Sequence, residues 1–348
     1  MTMRYRLLGR SGLRVSEICL GTMTFGEDWG FGSSKDESRR VLDAFLDAGG
    51  NFIDTANVYT NGTSETLLGE FLHGRRDQAV LATKYTNAMP GTDANAGGNQ
   101  RKNMMISVEA SLKRLKTDYI DLYWVHVWDQ ITPIDEVMRG LDDLVRQGKI
   151  LYTGVSDTPA WVVARGNTLA EMRGWTSFVG LQVEYSLVER TVERELLPMA
   201  KEMGLGVTAW SPLASGVLTG KYLDKKAGAA SEHRLDSEMM KAFAVGPEAF
   251  EPTVREVVKV AGEVGKSPAQ VALAWLNHRA MPIIPIIGVR KVAQLQDNLA
   301  SLEVKLEPAQ VTRLDSAGAI KLGFPHDFYR NGMVQTMVYG GLREKIDA

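Results

Sequence analysis

Four polar side chains follow apolar, strand-like runs within the segment 51–126. "NFIDTANVY" carries Asp54 and Tyr59, "VLATKY" carries Lys84, and "DLYWVH" carries His126. A phenol with a pKa of about 10 is a weak acid at neutral pH; an adjacent ammonium lowers that pKa, and a carboxylate keeps the ammonium charged in a partly desolvated site. A histidine can hydrogen-bond a carbonyl oxygen and orient it. The set therefore suits protonation of the oxyanion that forms as hydride reaches a carbonyl carbon.

Each of the four residues also has an ordinary structural explanation. An aspartate after a strand often caps a turn or helix, and a tyrosine in a turn is often a packing residue. A lysine at a strand end usually extends to water, and a histidine there is often part of a hydrogen-bonded core. The positions of the four residues taken together favour the catalytic interpretation, because side chains at the ends of successive parallel strands would face one another.

Eight β-rich apolar runs alternate with amphipathic segments along the chain. The runs are 17–21, 51–55, 79–84, 119–126, 150–156, 178–184, 205–210 and 281–287. Segments such as "KDESRRVLDAFLDAGG" and "PIDEVMRGLDDLVRQGK" lie between them. This alternation predicts an α/β fold, a (β/α)8 TIM barrel, and two short pieces around residues 9–12 predict a β-hairpin plug at its N-terminal end. In such barrels the active site collects at the carboxyl ends of the strands.

The composition is that of a globular protein with a large core. The chain has 348 residues, 44% hydrophobic and 24% charged, and no break in composition, so we expect one domain over 1–348. A formal charge of −2 gives no field that attracts nucleic acid or anionic lipid. The single cysteine, Cys19, excludes an internal disulfide and any CxxC motif, and no metal site is expected. Without a signal-peptide core or a membrane-spanning apolar stretch, we expect a cytoplasmic protein with no membrane partner.

Two segments depart from the alternation of strands and helices. After the seventh strand, residues 223–250 form a long loop of small and charged residues with little pattern. Loops of this length are usually functional or mobile, and two alternatives stay open, a lid over cofactor or substrate and a passive insertion. The tail from Leu322 carries scattered aromatic residues, and we expect it to fold across the barrel mouth.

The four polar residues lie in motifs that resemble those of the aldo-keto reductase superfamily. "FIDTANVY" is similar to the family's aspartate and tyrosine segment, "LATK" to its lysine and "DLYWVH" to its histidine. The resemblance continues in order through "LGTMTFG", "GVSDTPAW", "LQVEYSLVER", "AWSPLASGVLTGKY" and "IIGVRKVAQLQDN". The long seventh loop and the start "RYRLLGRSGLRVS" resemble the microbial aryl-alcohol-dehydrogenase and potassium-channel β-subunit branch. The resemblance implies a catalytic set of Asp54, Tyr59, Lys84 and His126.

The resemblance also implies NADPH, extended over the barrel mouth, and it allows NADH. No G-x-G-x-x-G follows an early strand, which is consistent with a cofactor site unlike that of a Rossmann fold. From the nicotinamide to the adenosine, the implied cofactor residues are Gly21, Thr22, Asp54, Ser156, Asp157, Gln182, Trp210, Ser211, Leu213, Gly216, Lys221, Gly288, Arg290, Gln294 and Asn298.

Two departures from the family's pattern affect cofactor binding. Asp157 stands where an asparagine is usual, and an ionised carboxylate can accept from the carboxamide but cannot donate to it. Gln294 and Val289 replace the arginine and serine with which some members hold the 2′-phosphate, so the preference for NADPH over NADH stays open. Arg290 beside a predicted helix N-terminus suits that phosphate, because a cation and amide donors would act together.

Residues in the loops after the first, third and fourth strands predict the substrate pocket. They are Phe25, Trp29, Tyr85, Asn87 and Trp128. An aromatic, apolar rim favours an aryl or otherwise bulky carbonyl compound as the small-molecule substrate. The sequence leaves the oligomeric state open.

The sequence thus favours an NADPH-dependent carbonyl reductase over two alternatives. One alternative is an NADPH-binding redox sensor that contacts a partner and has only vestigial catalysis. The other is a glycosidase with a pair of carboxylates, formally Asp54 and Glu184, although Lys84 and Tyr59 would then have no role.

Overall fold

The computed structural model describes residues 3–88, 91, 93–223 and 247–347. Eight parallel strands in these ranges close into a barrel in chain order, and the last strand pairs with the first. The predicted (β/α)8 barrel is confirmed. The barrel strands are β3 (Cys19–Gly21), β4 (Phe52–Asp54), β5 (Val80–Tyr85), β6 (Ile120–Val125), β7 (Ile150–Ser156), β8 (Phe178–Glu184), β9 (Gly206–Trp210) and β10 (Ile283–Gly288).

Helices surround the barrel and cover the outward faces of its strands, and the last two of those described lie in the tail. They are α1 (Lys35–Asp47), α2 (Thr63–Phe71), α3 (Arg101–Leu115), α4 (Ile134–Arg146), α5 (Ala160–Arg173), α6 (Leu196–Met203), α7 (Glu251–Val264), α8 (Pro268–Leu276), α9 (Val292–Leu299), α10 (Pro308–Ala317), α11 (His326–Tyr329) and α12 (Gly332–Tyr339). Every residue of β5 and β6 is buried, as expected for parallel strands with side chains packed on both faces. The long apolar runs of the sequence are therefore explained by burial on two sides.

The pairing register brings the polar ends of neighbouring strands to the same end of the barrel. Asp54 at the end of β4 pairs with Gly21 of β3 and with Ala82 of β5. Because side chains alternate along a strand, Lys84 points to the same side as Ala82, which belongs to the apolar cluster inside the barrel. The register therefore directs Asp54 and Lys84 toward each other.

An antiparallel hairpin closes the opposite end of the barrel. β1 (Tyr5–Leu7) pairs with β2 (Arg14–Ser16). Leu8, directly after β1, is buried in the apolar cluster inside the barrel. Gly9 has a φ of +58°, and a Cβ there would lie 2.4 Å from the carbonyl oxygen of Val179, near the start of β8. Only glycine fits such a close approach with a left-handed backbone. The predicted hairpin plug at the N-terminal end is confirmed.

The long loop and the tail differ in what the structure describes. Most of the predicted lid, residues 224–246, lies outside the described residues, and its role stays a prediction. The tail packs on the loop after β8, where His326 Nε2 lies 3.1 Å from Glu195 Oε1. None of its described residues lines the cavity at the barrel mouth, so the structure does not support the expected crossing. Within the described ranges, no helix has both the length and the apolar character needed to cross a membrane.

Candidate active site

A cavity of about 810 Å³ opens at the carboxyl ends of the barrel strands. Its volume lies in the upper part of the range of about 300–1,000 Å³ that is typical of ligand sites. The wall includes Tyr59 and His126, then Trp210 at the end of β9, and Arg290 with Asn298 after β10. The cavity therefore extends over several successive strand ends and suits an extended ligand.

Lys84 connects the polar residues beneath the cavity. Its side chain is fully buried, and its Nζ donates to Asp54 Oδ2, to the Thr55 carbonyl oxygen at 2.8 Å and to Tyr59 Oη at 3.1 Å. These three acceptors use all three N–H groups of an ammonium. The Asp54 carboxylate is held on its other side by Gln182, whose Nε2 donates to Oδ1 at 3.0 Å. Asp54, Lys84 and Tyr59 thus form one hydrogen-bonded chain that ends at the cavity wall.

The electrostatics of this chain keep Lys84 charged and Tyr59 protonated. Burial by itself lowers the pKa of Lys84, but Asp54 and Tyr59 outweigh it and raise that pKa to about 12. Burial raises the pKa of Tyr59, and the opposing effect of Lys84 is smaller. The sequence led us to expect a lowered tyrosine pKa; in the structure the ammonium only limits the increase. Tyr59 therefore holds a transferable proton at neutral pH, and Lys84 can compensate the charge once that proton leaves.

His126 stands beside Tyr59 as a neutral ring. The two rings meet edge to face, with their centroids 5.9 Å apart. Burial, and then the charge of Lys84, keep the pKa of His126 well below its usual value of 6.5. Its Nδ1 lies 3.2 Å from Nδ2 of Asn87. A neutral imidazole has one donor and one acceptor nitrogen, so His126 can hydrogen-bond a ligand without carrying charge.

The cavity wall next to Tyr59 and His126 carries groups that fit a nicotinamide and its carboxamide. Ser156 lines the cavity, and its buried hydroxyl lies beside the Asp157 carboxylate. Trp210 Nε1 donates to Asp157 Oδ1 at 3.1 Å, which fixes the indole at the wall. Burial raises the pKa of Asp157, against the effect of that donation and of the Ser156 hydroxyl. Asp157, which stands where an asparagine is usual in the family, therefore orients Trp210.

The loop after β9 is a tight turn that holds a lysine at the cavity wall. Ser211, Ala214, Ser215 and Gly216 all have left-handed φ values, 50°, 48°, 54° and 88°. Within the turn, the Ala214 amide donates to the Ser211 carbonyl oxygen and the Gly216 amide donates to the Leu213 carbonyl oxygen, so these backbone donors are already used. A Cβ on Gly216 would lie only 2.7 Å from Lys221 Nζ, so the ammonium lies close above this turn. The Lys221 ammonium, which lines the cavity, is therefore the group of this loop that suits a pyrophosphate.

The loop after β10 differs in one respect from what the sequence predicted. The Arg290 amide donates to Gln294 Oε1 at 2.8 Å, and the Val292 amide donates to Glu37 Oε1 at 3.1 Å. Two backbone donors at the start of α9 are thus already used by side chains. The expected cooperation of amides with a cation is reduced here, and the Arg290 guanidinium becomes the main candidate for a phosphate contact.

Comparison with known proteins identifies the family. The model of the aldo/keto reductase family matches residues 17–319. This chain belongs to the aldo/keto reductase family. It is 40% identical to the NADP(+) aryl-alcohol dehydrogenase of Phanerodontia chrysosporium, over 94% of this chain and 89% of that relative. It is 39% identical to a putative aryl-alcohol dehydrogenase of Saccharomyces cerevisiae, over 92% of this chain and 88% of that relative.

A third relative comes from another named group of reductases. The chain is 39% identical to the norsolorinic acid reductase of Aspergillus flavus, over 93% of this chain and 83% of that protein. Together with the family match, these relatives make the protein an oxidoreductase, an NAD(P)H-dependent carbonyl reductase that acts on a small-molecule carbonyl substrate.

Most residues predicted for the site line the cavity of this aldo/keto reductase. They are Gly21, Trp29, Asp54, Tyr59, Asn87, His126, Ser156, Asp157, Gln182, Trp210, Ser211, Leu213, Gly216, Lys221, Gly288, Arg290, Gln294 and Asn298. Lys84 lies behind this wall and reaches Tyr59 from below. Glu184, the second carboxylate of the glycosidase alternative, does not line the cavity, and both oxygens of Asp54 are already bonded.

The structure does not bring four predicted residues to the cavity. Because Lys84 points into the barrel, the next residue, Tyr85, must point outward, where it stacks on Tyr123. Phe25 is fully buried in the outer core. Thr22 is also buried, and its hydroxyl donates to the Asp54 carbonyl oxygen. Trp128 lies at the rim, edge to face with Trp161, and its side chain does not line the cavity. These four residues do not line the cavity, and their contacts with cofactor or substrate stay predictions.

Several lining residues were absent from the sequence-based set. They are Met23, Thr24, Phe31, Val58, Pro212, Ser215, Thr219, Ala269, Ile286, Ile287, Val289, Ala293 and Asp297. Asp297 could have been found, because it follows Gln294 by three residues and shares its helix face. Ala269 of α8 gives no signal of this kind. Across the described ranges, no group of three or more His, Cys, Asp or Glu side chains could hold a metal ion.

Proposed function

We propose that the protein reduces aldehydes or ketones to alcohols with NADPH, reversibly, and that Tyr59 supplies the proton. The observation that carries the proposal is the chain from Asp54 through Lys84 to Tyr59 Oη, which ends at a cavity wall beside a neutral His126. A bound reduced nicotinamide supplies the hydride to the carbonyl carbon. A site that keeps a phenol protonated next to a buried cation is suited to complete that reduction with a proton.

Each residue of the set has a distinct role in this proposal. Tyr59 donates its O–H proton to the carbonyl oxygen, which becomes the hydroxyl of the alcohol. His126 donates a hydrogen bond to the same oxygen and orients it. Lys84 stabilises the phenolate that Tyr59 becomes, and Asp54 keeps Lys84 charged and in place. Because these groups are positioned before reaction, they need little reorganisation as charge develops on oxygen.

NADPH is the proposed cofactor in preference to NADH. Trp210 would face the nicotinamide ring, and Ser156, whose buried hydroxyl lies at the cavity wall, would bind its carboxamide. Asp157 would orient the indole, as its bond to Trp210 suggests. Arg290 offers a guanidinium for the 2′-phosphate, and one relative carries NADP(+) in its name. A cytoplasmic location stays a prediction, as does the assignment of 1–348 to one domain.

The proposed substrates are aryl or otherwise bulky carbonyl compounds. Trp29 lies edge to face with Tyr59 at a centroid distance of 6.4 Å and lies 6.0 Å from Phe31. Both line the cavity, and Val58 adds an apolar surface beside the proton donor. Flat apolar walls around a polar reacting group favour a ring next to the carbonyl. The relatives named for aryl alcohols support the same class.

The test is NADPH oxidation with a panel of aromatic and aliphatic aldehydes and ketones, with NADH in parallel. We expect Tyr59→Phe to lower kcat by about 10³-fold while the Kd for NADPH stays within about twofold, because only the proton donor is removed. Tyr5→Phe, at the hairpin on the opposite end of the barrel, should keep the wild-type kcat. Reduction by Tyr59→Phe at a near-wild-type rate would refute the mechanism. Tight NADPH binding with no turnover on any carbonyl would instead favour the redox-sensor alternative.

A further inference from the structure

We propose that Asn87 is a positioning residue that sets the tautomer of His126, so that Nε2 carries the hydrogen and donates to the substrate. This inference rests on the proposed function, and it changes the role predicted for Asn87 from substrate contact to control of the histidine. It concerns which nitrogen of His126 is a donor, a property on which substrate orientation depends.

The argument begins with the charge of His126. Burial and the nearby Lys84 ammonium keep the ring neutral. A neutral imidazole has one N–H and one bare nitrogen, and the bond made by one nitrogen determines the state of the other. Nδ1 lies 3.2 Å from Asn87 Nδ2, which is a donor. Nδ1 must therefore accept, and the hydrogen is on Nε2.

The opposite orientation of the amide would disable the site. If Asn87 Oδ1 faced the ring, Nδ1 would carry the hydrogen and Nε2 would present a lone pair to the cavity. A lone pair repels a carbonyl oxygen, so only Tyr59 could then bind that oxygen as a donor. Because the two amide orientations place the hydrogen on different nitrogens of His126, a direct measurement of the tautomer is the decisive test.

Asn87 itself is held from the loop that carries Tyr59. Asn57 Nδ2 donates to the Asn87 carbonyl oxygen at 2.9 Å. The backbone N–H of Asn57 donates to the Lys84 carbonyl oxygen at 3.2 Å. Asn57 lies between Asp54 and Tyr59 in the chain, so one side-chain bond connects the loop of the proton donor with the residue that controls His126. This bond helps to fix the position of the two donors relative to each other.

Two substitutions at Asn87 separate a tautomeric role from a structural one. Asn87→Asp keeps the shape, but its carboxylate only accepts, so it would place the hydrogen on Nδ1 and remove the Nε2 donor. We expect kcat to fall about 10²-fold, the effect of losing one donor to a developing oxyanion. Asn87→Ala removes the constraint and leaves both tautomers accessible, so kcat should fall about tenfold or less. A residue with a merely structural role would give the reverse order, because aspartate preserves the packing.

The tautomer is read independently of activity by ¹⁵N NMR of histidine-labelled protein. The chain has only five histidines, and His126→Phe identifies the resonances of His126 by their loss. Nδ1 should be unprotonated in the wild type and protonated in Asn87→Asp. In a His126→Phe background, Asn87→Asp should change kcat by less than about twofold, because its effect acts through the histidine.

A protonated Nδ1 in the wild type would overturn the inference, and so would an Asn87→Asp enzyme that is as active as Asn87→Ala. Failure of the proposed function is distinguishable from both results. In that case the wild type would reduce no carbonyl in the panel, whereas the NMR experiment would still report which nitrogen of His126 carries the hydrogen.

Discussion

Asp54 is a buried carboxylate at the end of an apolar strand, where desolvation disfavours charge. Lys84 and Gln182 compensate it, one with an ion pair and the other with a hydrogen bond. A buried ion pair adds little net stability compared with well-packed apolar residues, although breaking it is costly. The pair is therefore better explained by the chemistry of Tyr59 than by folding.

At the residue scale, cofactor preference is predicted to depend on Arg290. Arg290→Ala should raise the Kd for NADPH about tenfold and leave that for NADH within about twofold, because a charge-assisted bond to a phosphate contributes about 1.5 kcal/mol or more. The measurement is fluorescence titration with each cofactor. Lys291→Ala, at the exposed neighbouring cation, is the matched control and should affect both cofactors little. Equal weakening of NADPH and NADH by Arg290→Ala would show that Arg290 binds a part that both share.

The sequence predicted residue types better than residue directions. The residues selected at three strand ends and in the loop after β4 come together in the structure, where Asp54, Lys84 and Tyr59 form one hydrogen-bonded chain beside His126. The prediction took Tyr85 for a pocket residue because it treated Lys84 as the end of the strand, whereas β5 continues through Tyr85 and turns that side chain outward. The contact between Asn87 and His126 could not be predicted, because it depends on side-chain geometry between two loops.

At the element scale, the loop that carries Tyr59 is strained and firmly held. Thr60 and Asn61 have φ values of 45° and 56°, in a region that costs about 1 kcal/mol or more for residues other than glycine. Thr60 Oγ1 donates to the Phe25 carbonyl oxygen at 2.7 Å, and Trp29 Nε1 donates to Asn61 Oδ1 at 3.2 Å. These bonds explain why Phe25 and Trp29, in a different loop, matter for the position of Tyr59.

Helix α2, directly after this loop, is predicted to be anchored by Glu65. Its side chain is fully buried, accepting from Thr83 Oγ1 and Arg114 Nε at 2.6 Å each. Glu65→Ala should lower the free energy of unfolding by about 3 kcal/mol, because it leaves Arg114 without its partner and a buried space beside β5.

Urea denaturation measures this change. The control is Glu109→Ala, which removes a partner of Lys149 from an ion pair whose acid side chain is 58% exposed. An exposed pair contributes less than about 1 kcal/mol, so the control should be close to wild type. Equal effects of the two substitutions would show that Glu65 is not an anchor.

Among the helices, the sequence was informative where one face is apolar. Helix α1, in the predicted amphipathic segment "KDESRRVLDAFLDAGG", buries Val41, Leu42 and Phe45, a helical spacing that is readable in the sequence. Helix α5 buries Gly166, Asn167 and Ala170 instead of a stripe of large residues. The Asn167 side chain makes two hydrogen bonds with the backbone of Phe178 at the start of β8. Such a polar contact has no periodic signal, which explains why α5 was not predicted.

At the scale of the whole molecule, barrel closure joins loops that are far apart in the sequence. β10 pairs with β3, so the loops after these strands are neighbours. Thr24 Oγ1 donates to the Val289 carbonyl oxygen at 2.9 Å, and Ser33 Oγ donates to that of Arg290 at 3.0 Å. The loop that carries Trp29 is thereby bonded to the loop that carries Arg290. Eight strand-like runs predict closure, but they do not predict these particular bonds.

The stability of the whole protein is predicted to fall as pH rises toward 8, in part because of Glu184. Burial, then repulsion from Glu189 and Asp157, raises the pKa of Glu184 from 4.5 to about 7. Between these two values the folded state retains a proton that the unfolded state releases. The free energy of unfolding therefore decreases with increasing pH across this window.

Glu184→Gln removes the titrating group and should be more stable than wild type at pH 8, with the difference disappearing at pH 4.5. We expect about 1 kcal/mol at pH 8, because solvent screens part of the repulsion at this half-buried carboxylate. For a chain of this length that corresponds to an increase in Tm of about 1–2 °C, measured by calorimetry at both pH values. The exposed Glu171→Gln is the control and should change stability by less than about 0.5 kcal/mol. A Tm difference for Glu184→Gln that is the same at pH 4.5 and pH 8 would show that Glu184 does not contribute to the pH dependence.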